Sequence, residues 1–322
     1  MVLVHGGFAD ASASWSGVIK RLQRDGYPVV VPANPLRGLS TDAPYLASVL
    51  KSVKGPIILA RHSYGGAVIT NAAAGNPNVK ALVYIAAFVT DKGDKLIDLL
   101  GKYPGSEIPD AINEVPFTNP DGTTGTHIYL KTDKFRSAFA ADPPRSTTNV
   151  MQAAQRPASA AHLTEATRAA AWHDIPAWGL VAGTDKAIPP ALQRFEYQRA
   201  GTYRPMEVPG ASHSVMVSHP GTVERLIQAA DRGRSTLHAS QSGSSGDLPG
   251  DHRRVRGAGR HDAQSAQPDQ GEDGPGAHVD RRPGSRKCAS PTPAQPTSVH
   301  RPLVRLMFRR KGQVQRLRVA FP

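Results

Sequence analysis

Ile57-Ile58-Leu59-Ala60-Arg61-His62-Ser63-Tyr64-Gly65-Gly66-Ala67-Val68-Ile69-Thr70 sets the architecture of this chain. A short apolar run reads as a buried strand, and a small-residue helix start follows it. Ser63 falls on the turn between them. A tight strand-to-helix turn of this kind lifts a serine hydroxyl above the sheet edge, as in a nucleophile elbow. The Tyr64 N–H would then face an oxyanion at a helix N-terminus. Gly65 and Gly66, lacking Cβ atoms, let the helix lie close on the strand. Alone, His-Ser-Tyr-Gly is equally compatible with an ordinary loop. Arg61 also stands where such a turn normally has glycine. A long side chain there is expected to cost stability or to displace Ser63.

The surrounding sequence strengthens the elbow reading. On the N-terminal side, Val2-Leu3-Val4 reads as a strand that stops at the glycine turn His5-Gly6-Gly7-Phe8. Trp15, Val18, Ile19 and Leu22 recur at helical spacing, and Asp25-Gly26 ends that helix. Tyr27–Val31 reads as a second strand. Tyr45, Leu46, Val49, Leu50 and Val53 form another helical stripe. Beyond Ser63 come a helix over Ala67–Ala74 and a strand over Lys80–Phe88. The pattern resumes with a strand at Pro176–Ala182 ending in Gly183-Thr184-Asp185. A helix over Pro190–Ala200 (Leu192, Phe195, Tyr197) and a strand at Pro205–Val208 follow. After the loop Gly210-Ala211-Ser212-His213, Ser218 is expected to cap a last helix bearing Val223, Leu226 and Ile227. Strands alternating with helices predict an α/β protein: a mostly parallel, doubly wound sheet with helices on both faces. Sites in such sheets lie beyond the carboxyl ends of the strands.

Residues 90–167 interrupt the alternation. They hold a turn at Asn119-Pro120-Asp121-Gly122, a short strand at His127–Leu130, and helical pieces over Phe135–Ala141 and Thr147–Ala154. An insertion of this size reads as a helical lid over the sheet end.

Charge marks a second boundary. The chain has 322 residues and a net charge of +13, of which residues 1–230 carry +4 and residues 231–322 carry +9. Fifteen of the 17 basic residues after 230 are arginine, and Phe308 and Phe321 are the aromatics there. Such a segment buries too little apolar surface to form a core. It is expected to be a disordered tail, with weak structure confined to Leu303–Val319. Nucleic acid could bind only this tail, through phosphate contacts, and no motif there organises such binding. A frame-shifted translation of GC-rich DNA would explain the composition as well. The folded α/β domain is therefore placed at 1–230.

Cys288 is the one cysteine, so no intrachain disulfide forms. No apolar run approaches the roughly 20 residues of a membrane helix. With no secretory leader in sight, a cytoplasmic location is expected. The chain opens inside what reads as a central strand, so residues before it are expected to be missing.

Acyl transfer by serine requires a nucleophile, a base, an acid that orients the base, and N–H donors for the oxyanion. Ser63, Asp185 and His213 follow the order Ser-Asp-His of the elbow architecture, and each follows a strand. Asp174 precedes its strand and would lie more than about 20 Å away, at about 3.3 Å per residue. His62 should point away from Ser63, His173 lies at the wrong strand end, and His219 starts a helix. The glycine turn after the first strand supplies the second donor, so the oxyanion amides are assigned to Phe8 and Tyr64. Phe135, Phe139 and Met151 of the lid are candidate pocket residues. No metal or organic cofactor is required.

With these residues in place, the chain resembles the α/β-hydrolase fold family. It is most similar to the small, cofactor-independent esterases near the plant methylesterases and hydroxynitrile lyases. The resemblance rests on Val2–Ser12 with Trp15, on His62–Ile69, on Gly183-Thr184-Asp185 with Ile188-Pro189, and on Ser212–Met216. It spans residue 1 to about 230. It implies a serine hydrolase of small carboxylic esters, with a small-molecule ester as partner. Two alternatives share the fold. One is a hydroxynitrile-lyase-like reaction on the same triad, although that group usually carries a lysine that cannot be placed here. The other is a homologue impaired by Arg61 that retains only a binding role.

Overall fold

Successive residues of the buried strands face two different cores, and this alternation shapes the molecule. The computed structural model describes residues 1–118, 121–242, 305–310 and 313–318. The first part holds β1 (Val2–Val4), α1 (Ala11–Arg24), α2 (Leu39–Ser52), β2 (Ile57–Ser63), α3 (Gly65–Ala72) and β3 (Val79–Ala87). The insertion holds α4 (Leu96–Lys102), α5 (Ile108–Ala111), β4 (Ile112–Thr118), β5 (Thr124–Leu130), α6 (Thr132–Phe139), α7 (Arg145–Ala153), β6 (Ala158–Ser159) and α8 (Ala161–Thr164). Then come β7 (Ala177–Ala182), α9 (Pro190–Arg199), β8 (Tyr203–Val208), α10 (Val215–Ser218) and α11 (Pro220–Ser242).

Five strands make one parallel sheet in the order β1-β2-β3-β7-β8. All seven residues of β2 are buried, as expected of a strand covered on both faces. Leu59 and Leu82 share a core with Leu46 of α2, Val68 of α3 and Leu192 of α9. Ile58 and Val83 face the other way, onto Trp15 and Val18 of α1 and Leu226 and Ile227 of α11. Each such fully buried side chain contributes roughly 1.5–3 kcal/mol. Helix α1 starts where Asp10 Oδ1 accepts the Ala13 N–H at 2.6 Å, and stops at Asp25 before Gly26, whose φ is +83°.

Several expectations need correction. Tyr27–Val31 is not a strand. Val30 alone bridges β1, donating to Met1 O and accepting from Leu3 N, each at 2.9 Å. Pro28 and Pro32 lack N–H donors, which prevents a longer ladder. Helix α2 begins at Leu39, so Leu39, Ala43, Leu46 and Leu50 face inward and Tyr45 is exposed. On α9, Tyr197 is buried but Phe195 is exposed. Ser218 ends α10 instead of capping the last helix, and Pro220 opens α11, where a missing N–H costs nothing.

The lid is mixed, not purely helical. β4, β5 and β6 form an antiparallel sheet in that order. The sequence hides β4 because most of its residues are exposed, and Pro116 sits in it, which an edge strand tolerates. Of the expected turn, Asn119 and Pro120 lie outside the described residues, and Asp121 Oδ1 accepts the Thr123 N–H.

Helix α11 runs past the composition boundary to Ser242, and Gly233 packs against the Trp178 indole. The chain divides into two units, Met1–Gly250 and Asp251–Pro322. In the second, β9 (Arg305–Arg310) and β10 (Gln313–Arg318) pair antiparallel. The rest of the tail, to which the expectation of disorder applied, lies outside the described residues. Among the described residues, no helix is long and apolar enough to cross a membrane.

Candidate active site

Four loops meet at the carboxyl end of the sheet. They follow β1, β2, β7 and β8 and carry Phe8, Ser63, Asp185 and His213 respectively. Ser63 has φ +56°, a conformation uncommon outside glycine, and Phe8 has φ +59°. The neighbouring glycines make the sharp turn feasible. A Cβ on Gly66 would lie 1.8 Å from the Phe88 carbonyl oxygen, and one on Gly6 would lie 2.5 Å from the Ser63 Cβ. Tyr64 enters α3, and its hydroxyl donates to Asp42 Oδ2 at 2.8 Å.

Arg61 does not displace this turn. Strand alternation sends its side chain to the α9 side of the sheet. There the guanidinium lies 5.0 Å from the Tyr84 ring centre, and Nη2 donates to Ser63 O at 3.4 Å. It occupies room left by Gly66, whose Cβ would come within 2.5 Å of Nη2. The side chain is fully buried, and its Nε and Nη1 have no hydrogen-bond partner among the described residues. Burial pulls its pKa down to about 9.

Asp185 and His213 form a buried pair, with Nδ1 of the imidazole 2.7 Å from Oδ2. The carboxylate can only accept, so Nδ1 carries the proton and Nε2 presents a lone pair. Nε2 is buried and has no hydrogen-bond partner among the described residues. The acid is held from several sides. Oδ1 accepts the Ala187 and Ile188 amides at 2.7 and 2.9 Å, and Oδ2 accepts from Gln193 Nε2 at 2.8 Å. Gln193 also donates to Ile188 O and accepts the Ala182 N–H. Sequence reasoning missed it, because a glutamine on a helix gives no outward sign of burial.

His62 corrects another expectation. Its ring does not turn away from the site. It lies 4.3 Å from the His213 ring, and Nε2 donates to His213 O at 2.9 Å. Burial holds its pKa well below the ordinary value, so it is neutral. His173 pairs with Asp91 at 3.1 Å on the surface, and His219 Nδ1 lies 3.7 Å from Asp142.

Ser63, His213, Phe8 and Tyr64 line one cavity of about 30 Å³. That holds about one water molecule. The lid supplies Phe139, and also Leu96, Leu100 and His162, which the sequence did not suggest. Phe135 and Met151 do not line it. Both are core residues, and Phe135 packs on Phe139 with ring centres 5.3 Å apart. The lid also grips the loop that carries His213: Ser214 donates to Phe139 O at 2.9 Å, and Ser212 donates to Asp142. A wider groove of about 510 Å³, between Ser40 and Arg168, has no histidine in its lining.

The alpha/beta hydrolase family model matches residues 1–226. A carbendazim-hydrolyzing esterase of Nocardioides sp. (strain SG-4G) is 34% identical over 114 residues, which span 31% of this chain and 47% of that protein. The chain thus aligns with about half the length of this curated relative. Among solved structures, polyneuridine aldehyde esterase is similar with a TM-score of 0.62 at 20% identity, covering 71% of this chain and 98% of that one. A methylesterase from Arabidopsis gives 0.56 at 16%, covering 75% and 98%, and a pyrethroid hydrolase gives 0.55 at 22%, covering 73% and 96%. At these identities the likeness is one of fold. The family model spans well over half of the sequence and ends within α11, so this chain belongs to the alpha/beta hydrolase family.

Proposed function

We propose that this protein is a serine hydrolase that cleaves small carboxylic esters through an acyl-enzyme. The observation that carries the reading is the buried Asp185–His213 pair: its imidazole lines the same cavity as the strained Ser63, and its Nε2 has no hydrogen-bond partner among the described residues. The curated relative, an esterase, supports the same direction.

In this reading Ser63 Oγ attacks the ester carbonyl while His213 Nε2 takes its proton. Asp185 holds the imidazole in the tautomer that makes Nε2 the acceptor, and stabilises the imidazolium that forms. The oxyanion is received by the Phe8 and Tyr64 amides. Loss of one such donor typically costs about 3–4 kcal/mol of barrier. His213 then returns the proton to the leaving alcohol, and water repeats the sequence on the acyl-enzyme. The cavity is narrow, about 30 Å³, and an outward movement of the lid would widen it for an ester.

A fluorophosphonate probe tests the reading. Ser63 is expected to be labelled, and the Ser63→Ala variant is not. A short panel of 4-nitrophenyl esters then gives the acyl preference. A folded protein that takes no label and turns over none of the esters would refute it, and would favour the impaired homologue with a binding role.

A further inference from the structure

Two histidines line the cavity, His162 and His213, and the mechanism uses one of them. His162, on α8 of the lid, lines the cavity and is buried, with 3% of its surface exposed. Its Nδ1 lies 2.5 Å from Ser159 O. A carbonyl oxygen only accepts, so Nδ1 carries the proton and Nε2 is left as an acceptor. Burial lowers its pKa to about 4, so the ring is neutral at neutral pH. The ring stands edge-on to Tyr64 and Phe8, with centres 5.0 and 6.0 Å away. These are the two residues assigned to the oxyanion amides. Nε2 itself faces the glycine turn: a Cβ built on Gly7 would lie 3.9 Å from it. Around it the lining is apolar, with Leu96, Leu100, Ile108 and Leu163.

We infer that His162 determines specificity, its Nε2 accepting a hydrogen bond from an O–H or N–H that the ester carries one or two bonds from the reacting carbonyl. The inference rests on the hydrolase reading above for the identity of that carbonyl. An acceptor lining the cavity next to Gly7, the neighbour of Phe8, favours a substrate that pairs with it. An apolar isostere leaves it unpaired and is bound less well in the transition state. Among the described residues His162 has no carboxylate partner of the kind His213 has, so it selects and positions and does not serve as the base.

The test compares two esters of equal shape, methyl 2-hydroxypropanoate and methyl 2-methylpropanoate. The ratio of their kcat/KM values is measured in the wild type, in His162→Phe and in His162→Gln. His162→Phe is expected to lower the ratio about tenfold, and His162→Gln, which keeps an acceptor, to restore part of it. A loss shared equally by both esters leaves the ratio at its wild-type value and overturns the inference. The non-reacting pair 2-hydroxypropanamide and 2-methylpropanamide provides a measurement independent of chemistry and of the variants' folding. Titrated into Ser63→Ala and followed by NMR, the hydroxyamide is expected to bind about tenfold more tightly. Equal affinities overturn the role of His162 even where the fluorophosphonate experiment succeeds. Tighter hydroxyamide binding with no labelling of Ser63 would sink the hydrolase reading and keep the acceptor site.

Discussion

Gln193 and Asp185 show how one side chain secures another. The Asp185 carboxylate accepts from two amides, from Gln193 and from His213, which leaves its orientation little freedom. In the proposed mechanism, Asp185→Asn removes the charge that would stabilise the imidazolium, and misdirects the tautomer. It is expected to lower kcat on a nitrophenyl ester by about 10³–10⁴-fold with the fold intact by circular dichroism. A loss below tenfold would mean that another group orients His213. On the same helix as Gln193, Glu196 is fully buried, with Oε1 4.0 Å from Arg199, and burial raises its carboxyl to about 8. An unfolded chain releases this proton near 4.5. The native state therefore binds the extra proton, and the stability from this group is complete below about pH 4.5 and declines as pH rises towards 8. Glu196→Gln is expected to flatten the dependence of urea midpoints between pH 5 and 8. Parallel profiles for variant and wild type would contradict this. Arg61 is a buried cation held mainly by a ring and one carbonyl. Arg61→Met is expected to be neutral or stabilising by about 1–4 kcal/mol in urea denaturation, because an apolar side chain of similar length needs no solvation. A clear destabilisation would show that the guanidinium has partners stronger than those seen.

At the scale of elements, two couplings matter. The lid and the loop of His213 are joined by Ser214 to Phe139 and by Ser212 to Asp142, and Asp142 also faces His219. Helix α11 covers the α1 side of the sheet, and its Gly233 meets Trp178 so closely that a Cβ would lie 2.8 Å from the indole. Gly233→Leu is expected to overpack this contact and to destabilise the protein by about 1–3 kcal/mol, read from the thermal midpoint. An unchanged midpoint would show that α11 ends functionally before Gly233. Elements were legible in the sequence where period and punctuation agreed. Trp15, Val18 and Leu22 announced α1, and Asp25-Gly26 announced its end. Exposed β4 carried no such period, and the Tyr27–Val31 run looked like a strand because residue propensity does not reveal that Pro28 and Pro32 break the ladder.

At the scale of the molecule, the basic tail and the α/β-hydrolase unit are separable in composition but not at residue 230. Because α11 continues to Ser242, the cut that respects the fold comes after Ser242. Truncation there is expected to leave kcat/KM within about twofold and the thermal midpoint unchanged, since the sheet, lid and site all precede it. Loss of folding would show that residues beyond Ser242 support the first unit. The same truncation removes most of the excess positive charge, so retention of the protein on heparin should fall.

From residue order alone came the parallel sheet, the elbow at Ser63 and the strand-end positions of Asp185 and His213. These are local matters: apolar runs make buried strands, and each of the three residues directly follows one. Tertiary structure decided what no local signal encodes. Arg61 fits because the strand turns it towards Tyr84 and away from the crowded turn. Gln193 and His162 reach the site only because α9 and the lid fold back over the sheet end, bringing together side chains that the chain itself keeps far apart.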